Sequence, residues 1–193
     1  ITEFGASVTG VTLSTEQLAF AQRRNPGADL RLQDYRDITD EPFDAVLSIE
    51  MFEAVGMEYW PAYFGKVHDV LRPGGKAGLQ IITIQDDLFD EYNARTDFIQ
   101  KYVFPGGMLP APSKFAGAAQ AAGLRVEDGF GFGLDYARTL QDWLTRFEAR
   151  LTEVRALGFD EAFIRVWRFY LAACIAGFAT GRTDVMQYRL AHA

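Results

Sequence analysis

One cysteine and two histidines are all that these 193 residues offer to thiol and imidazole chemistry. Cys174 alone cannot form an internal disulfide, and a chain without a disulfide framework fits a reducing cytoplasm. His68 and His192 lie far apart along the chain and no Cys/His cluster has zinc spacing, so no metal site is expected. Positive charge is also scarce. Nineteen Lys and Arg face 26 Asp and Glu, and the net charge of −7 excludes a protein that grips nucleic acid through its phosphates, which needs a basic face. No apolar run approaches the roughly 18 residues of a membrane span, so none is expected. Internal repeats and low-complexity tracts are missing too. What remains, 49% hydrophobic and 23% charged residues over a length suited to one domain, is an ordinary globular composition.

The segment Phe43 to Ile84 organises the rest. It reads as strand, acidic loop, amphipathic helix, Pro-Gly-Gly turn and strand. Asp44 to Ile49 and Lys76 to Thr83 are short, largely apolar runs of the kind buried on both faces of a parallel sheet. Between them, Tyr59, Tyr63, Phe64, Val67, Val70 and Leu71 recur at helical spacing, giving a face that can lie on the sheet. Ligands of open α/β sheets bind beyond the carboxyl ends of the strands. The loop Glu50 to Gly56 leaves the first strand at that end, placing Glu50 and Glu53 where chemistry is expected.

Elsewhere strand and helix alternate. Thr2 to Gly5 reads as the end of a helix without a preceding methionine, so further residues are expected upstream. Val8 to Leu13 is a β-branched strand; Ser14 with Gln17 three residues later forms a capping-box pattern that opens a helix from Thr15 to about Arg24, stopped by Asn25-Pro26-Gly27. Ala28 to Gln33 is a third strand, followed by the polar loop Asp34 to Asp37. Gln85 to Pro112 breaks the alternation with acidic turns and aromatics, as a lid or binding loop does. Ser113 caps a helix ending at Gly123, Leu124 to Phe132 is strand-like, and Gly133 to Tyr136 turns into a helix from Thr139 to about Leu157. A last helix from Asp160 or Glu161 carries Phe163, Val166, Trp167, Tyr170, Leu171, Cys174 and Phe178 on one stripe, before an antiparallel strand, Asp184 to Leu190. The fold class is α/β with a mainly parallel sheet.

VTGVTLSTEQ, FDAVLSIEMFEAVG, YFGKVHDVLRPGGKAGLQIITI, DFIQKYVFPGGMLP, FGLDYARTLQDW and YLAACIAGFATGRTDVMQYRL follow one another in an order that resembles the cyclopropane-fatty-acyl-phospholipid synthase family, which includes the mycolic acid cyclopropane synthases. The resemblance covers essentially the whole chain. It implies a Rossmann-like S-adenosylmethionine (SAM) dependent methyltransferase fold, one domain with a lid at about 85–112, whose first strand and glycine-rich loop precede the segment matching Ile1 to Gly5. It also implies methyl transfer to the cis double bond of an unsaturated phospholipid acyl chain, forming a cyclopropane. A methyl-branching C-methyltransferase acting on a lipid or another alkene, or a truncated, folded member without activity, are the alternatives. Peripheral contact with the inner face of the membrane from the cytoplasm follows from such a substrate, and homo-oligomerisation stays open.

By the same resemblance Thr12, Leu13, Ser14 and Gln17 line the cofactor's ribose and methionine side, with Tyr35 and Arg36 near the adenine. Read without the resemblance, Thr12 to Gln17 are a mere helix cap, the commoner case for such a pattern. The family's base is a bound bicarbonate, and the positions that would hold it are Glu53, Gln80, the backbone at Ile82, and Tyr136. Gln80 departs from the histidine of better-known members, and an upstream cysteine contact has no counterpart here. Read without the resemblance, Glu50 and Glu53 are solvated loop carboxylates and Tyr136 a core aromatic. Cys174 matches a cysteine sometimes assigned as catalytic, yet sits on an apolar stripe where a thiol behaves as a small hydrophobe. Tyr102, Phe104, Trp167, Phe169 and Tyr170 are either the lining of an acyl channel or ordinary core.

Overall fold

The computed structural model describes residues 3–193. Thr2, where the first helix end was expected to begin, lies outside them. The elements run β1 (Thr9–Thr12), α1 (Thr15–Arg24), β2 (Asp29–Leu32), β3 (Phe43–Ile49), α2 (Trp60–Val70), β4 (Leu71–Ile84), α3 (Phe89–Asn93), α4 (Phe98–Tyr102), α5 (Pro112–Ala121), β5 (Leu124–Gly131), α6 (Gly133–Ala149), α7 (Leu151–Ala156), α8 (Glu161–Ala179) and β6 (Thr183–His192). β1 and β2 pair in parallel as a two-stranded sheet, and the other strands form a sheet of order β3-β4-β6-β5. There β3 and β4 are parallel, and β6 is antiparallel to both its neighbours, so it alone runs against the rest. The α/β class and the antiparallel closing strand are those expected.

Where caps are local, the elements start where the sequence places them. Ser14 Oγ accepts the Gln17 N–H at 3.2 Å and opens α1. The capping box is only half made, because the Gln17 side chain accepts instead from the Thr12 hydroxyl at 2.9 Å. Where caps come from elsewhere, the starts move. Helix α5 begins at Pro112 rather than at a Ser113 cap, with Pro in the first turn where its missing N–H is harmless; the Ser113 N–H donates to Asp86 at 3.1 Å. Helix α6 begins at Gly133, six residues before Thr139, because Asp184 of β6 accepts the Gly133 N–H at 2.7 Å. A side chain at position 133 would stand 2.7 Å from that carboxylate and would have to push it off the N–H it caps. The helix expected to run on to Leu157 is interrupted at Arg150 (φ −120°, ψ 23°), and α7 follows as a separate short helix whose Arg155 pairs with Glu161 of α8 at 2.6 Å. The Pro-Gly-Gly turn lies inside β4: Phe43 pairs with Leu71 and Ala45 with Lys76, so Arg72 to Gly75 bulge out. Segment 85–112 is not irregular, since it holds α3 and α4, and α4 is opened by a complete capping box of Asp97 and Gln100.

Two clusters form the core. Helices α2 and α5 cover one face of the larger sheet, burying Phe52, Tyr63, Phe64, Leu79, Ile81, Phe115 and Leu190. On the other face Leu140 of α6 meets Leu171 and Phe178 of α8 over Val185. The stripe of α8 includes Ile164, which is fully buried. By length and composition α8 is apolar enough to cross a membrane, with mean hydropathy 1.4, contrary to expectation. It reaches that value around Arg165 and Arg168, which break any uninterrupted run, and its stripe packs on α6 and the sheet. The rest of that sheet face is open. Leu47 and Ile49 are 78% and 68% exposed, so β3 is covered on one face and not two as expected, and a shallow cavity of about 480 Å³ runs from Leu47 and Ile49 across Gly78 and Gln80 to Phe130 and Arg189. His68 and His192, remote in sequence, have ring centroids 4.5 Å apart.

Phe115 is fully buried, stacked on Tyr188 at 4.6 Å and edge-on to Phe52 and Phe64. Phe115→Ala is expected to lower unfolding free energy by about 3–5 kcal/mol. Leu157→Ala, at a side chain 77% exposed, should stay within about 0.5 kcal/mol. Urea midpoints check both, and equal shifts would contradict this assignment of the core.

Candidate active site

The loop after β3 is held from its middle. Phe52, 1% exposed, is surrounded by Trp60, Tyr63, Phe64 and Phe115 with ring centroids 5.0–5.4 Å away, so the backbone on either side cannot drift. The parallel ladder extends one residue past β3 through Glu50 N–H to the Gln80 carbonyl at 2.8 Å. The chain then turns sharply at Glu50, whose φ of +49° is the one positive value on a non-glycine residue among those described. Such strain persists only where the surroundings over-determine it, and it clusters at functional sites.

That turn aims Glu50 across the strand ends. Its Oε1 accepts from Gln80 Nε2 at 2.9 Å and from the Tyr136 hydroxyl at 2.9 Å, with the hydroxyl 3.1 Å from Oε2. Gln80 is oriented in turn by Gln187 of β6, which donates to its Oε1 at 2.8 Å. Glu53 points the other way, into the sheet, where Oε1 accepts the Ile82 N–H at 2.5 Å and Oε2 is buried without a partner. Burial pushes its carboxyl above the ordinary range, opposed by the Ile82 N–H and reinforced by the Glu50 charge. The same loop anchors segment 85–112: the Met108 N–H donates to the Glu53 carbonyl at 2.8 Å, while the Tyr92 hydroxyl accepts from Leu109 N–H at 3.1 Å.

Four of the five expected catalytic positions, Glu53, Gln80, Ile82 and Tyr136, therefore lie around the one loop: Gln80 and Tyr136 bond to Glu50, and Ile82 bonds to Glu53. The fifth, Cys174, stands behind them beside Tyr170 on α8; burial pushes its thiol up to about 11, as suits a packing role better than a nucleophile. Tyr170 also touches Phe104 at 6.0 Å and Trp167 at 5.1 Å, and Phe169 meets Phe98, which packs on Tyr102. The candidate channel aromatics thus line the seam between segment 85–112 and α8. Sequence reasoning marked Glu50 as a loop carboxylate but did not give it the Gln80 and Tyr136 donors, and it missed Gln187. An acid as the first residue past a strand's end was the available signal.

The expected cofactor positions sit on two other loops at strand ends. Thr12 ends β1, and the exposed Leu13, Ser14 and Gln17 follow it. Tyr35 and Arg36 form a 3-10 turn after β2, opened by Asp34, which takes the Arg36 guanidinium at 2.6 Å and whose carboxyl is held down at about 2 by that pairing. Tyr35 packs edge-on to Tyr63 at 5.7 Å, and Lys66 donates to the Ile38 carbonyl at 2.8 Å, so α2 ties this turn to the acidic loop's own anchor. The pattern of hydroxyls, an amide and an exposed aliphatic face beside an aromatic turn fits a nucleoside with a polar tail.

The Glu53 carboxyl sets a pH dependence. A folded-state value raised above the unfolded one near 4.5 gives stability that is complete below that pH and lost as pH rises through the folded value. Glu53→Gln keeps an oxygen for the Ile82 N–H and removes the charge. Its urea midpoint should therefore gain on the wild type as pH rises above about 4.5. A constant difference across that rise would contradict the assignment.

The family model described as mycolic acid cyclopropane synthetase matches residues 1–188. Tuberculostearic acid methyltransferase UfaA1 from Mycobacterium tuberculosis is 41% identical over 193 residues, covering 96% of this chain and 45% of that protein. Cyclopropane-fatty-acyl-phospholipid synthase from Escherichia coli K12 is 38% identical over 182 residues, covering 91% of this chain and 44% of that one. The chain thus spans about half the length of these curated relatives. Among solved structures, the mycolic acid cyclopropane synthase CmaA1, complexed with SAH and CTAB, superposes with TM-score 0.87 at 28% identity, over 98% of this chain and 71% of that chain.

Proposed function

The chain belongs to the mycolic acid cyclopropane synthetase family and has its Rossmann-like methyltransferase fold, and from that premise we propose that it is a SAM-dependent C-methyltransferase acting on the cis double bond of unsaturated phospholipid acyl chains, with a cyclopropane as product. The observation that carries this reading is a carboxylate cluster at the carboxyl end of β3, facing an aromatic seam. SAM supplies an electrophilic methyl group when bound, and Thr12, Leu13, Ser14, Gln17, Tyr35 and Arg36 are the residues that would hold it. Methylation of an alkene leaves a carbocation. Tyr136, Trp167 and Tyr170 offer ring faces that stabilise such charge without bonding to it. A carboxylate within hydrogen-bond reach can then take the proton whose loss closes the ring.

Segment 85–112 acts in this reading as the lid of one methyltransferase domain. Tyr102, Phe104 and Phe169, all more than half exposed, give the lid seam an apolar mouth for an acyl chain and a point of peripheral contact with the inner face of the membrane, from the cytoplasm. A second reading shares the first step and ends in a methyl-branched chain. It is favoured by Gln80 in place of the histidine of cyclopropane-forming members, and by the 41% identity to a tuberculostearic acid methyltransferase.

Expression of the complete gene in a host rich in unsaturated phospholipids, fed methyl-labelled methionine, should yield labelled fatty acids heavier by one CH2. Uptake of hydrogen identifies a methylene branch, whereas a ring and a saturated methyl branch both resist mild hydrogenation and are told apart by mass, the ring lacking two hydrogens of the branched acid. Unlabelled, unaltered fatty acids in an expressing host would contradict both readings.

A further inference from the structure

The bicarbonate that the family resemblance implies does not fit the arrangement of donors. Of the four positions implied to hold it, three are donors, and each already donates to a carboxylate of the chain: Gln80 Nε2 and the Tyr136 hydroxyl to Glu50, and the Ile82 N–H to Glu53, the fourth position. The Gln80 amide cannot flip, because its oxygen is pinned by Gln187, so the N–H that faces the strand ends is the one Glu50 already takes. Two carboxylates on one short loop also repel a further negative ion. Glu50 holds this place at the expense of a left-handed backbone that glycine would adopt freely.

Resting on the proposed methyl transfer, we propose that Glu50 is itself the catalytic base, a carboxylate of the chain standing where an added anion is implied. Glu50 is the better placed of the two acids: it is exposed at the strand ends, whereas Glu53 is turned into the sheet and carries the lid on its carbonyl. Glu53 is a positioning residue. In the step itself the alkene π pair forms the new carbon–carbon bond as the carbon–sulfur bond of SAM breaks, its pair staying on sulfur. The resulting cation loses a proton from the new methyl group to a Glu50 oxygen. The released C–H pair closes the three-membered ring or, where a 1,2-hydride shift has first moved the cation onto the methyl-bearing carbon, forms the double bond of a methylene branch. The Gln80 and Tyr136 donors keep the carboxylate aimed before transfer, and Tyr136 can follow its change of charge by rotating its hydroxyl.

The test is turnover of the protein expressed from its complete gene, in carbon-dioxide-free buffer and with added bicarbonate. The wild type should turn over equally in both. Glu50→Gln should lose about 10²-fold in turnover with SAM affinity within a few fold. Glu50→Gly, which relaxes the backbone and frees Gln80 and Tyr136, should also be slow and should regain about tenfold or more with bicarbonate, an effect that a merely structural role for Glu50 would not produce. A wild-type rate that rises and saturates with bicarbonate overturns the assignment, and needs no variant to fold. So does a Glu50→Gln variant as fast as wild type. A wild type that binds SAM but methylates no unsaturated lipid at any bicarbonate concentration removes the methyltransferase reading and this inference with it, and is told apart by the absence of any rate to modulate.

Discussion

The packing of Phe52 is the constraint on which the site depends. A loop bearing two acids at a sheet's edge would normally fluctuate, and its carboxylates would be solvated. Here the residue between them is buried among four aromatic rings contributed by α2 and α5, so the loop is fixed from its centre. Glu50 and Glu53 then diverge from a rigid point, one towards Gln80 and Tyr136 and one into the sheet towards Ile82. Aromatic pairs of this kind add roughly 0.5–1.5 kcal/mol each beyond the area they bury. That is ample to offset a strained dihedral at Glu50, which costs of order 1–3 kcal/mol. The same aromatic cluster reaches Tyr35 through Tyr63, so the turn after β2 and the acidic loop share one foundation.

What was readable in the sequence follows from where each determinant lies. Ser14, Asn25-Pro26-Gly27 and Asp160 act on their own helix, and the ends they mark are where they were expected. The starts of α5 and α6 were misplaced because Asp86 and Asp184 supply the decisive acceptors from segments 27 and 51 residues away. The stripe of α8 was read correctly in phase but without Ile164, its most buried member. Burial of β3 on both faces was expected from an apolar run. Composition cannot say what lies over a sheet, and one face of β3 is open.

The site divides in the same way. Family motifs led to Glu53, Gln80, Ile82 and Tyr136, and the fold brings them together from the β3 loop, β4 and α6. No motif reveals that the residue before Met51 turns with positive φ and takes the donors of its neighbours. That is a property of the end of the β3–β4 ladder and of Gln187 on a third strand. It became visible only when register, dihedral and side-chain partners could be read together.

The central claim is that a carboxylate of the chain, not an added anion, occupies the meeting point of Gln80 and Tyr136. A high-resolution crystal structure of the complete protein grown in bicarbonate addresses it most directly. The account predicts continuous density from the Glu50 backbone to a carboxylate bonded by Gln80 Nε2 and the Tyr136 hydroxyl. A separate trigonal anion on those two donors, with Glu50 swung into solvent, would contradict it.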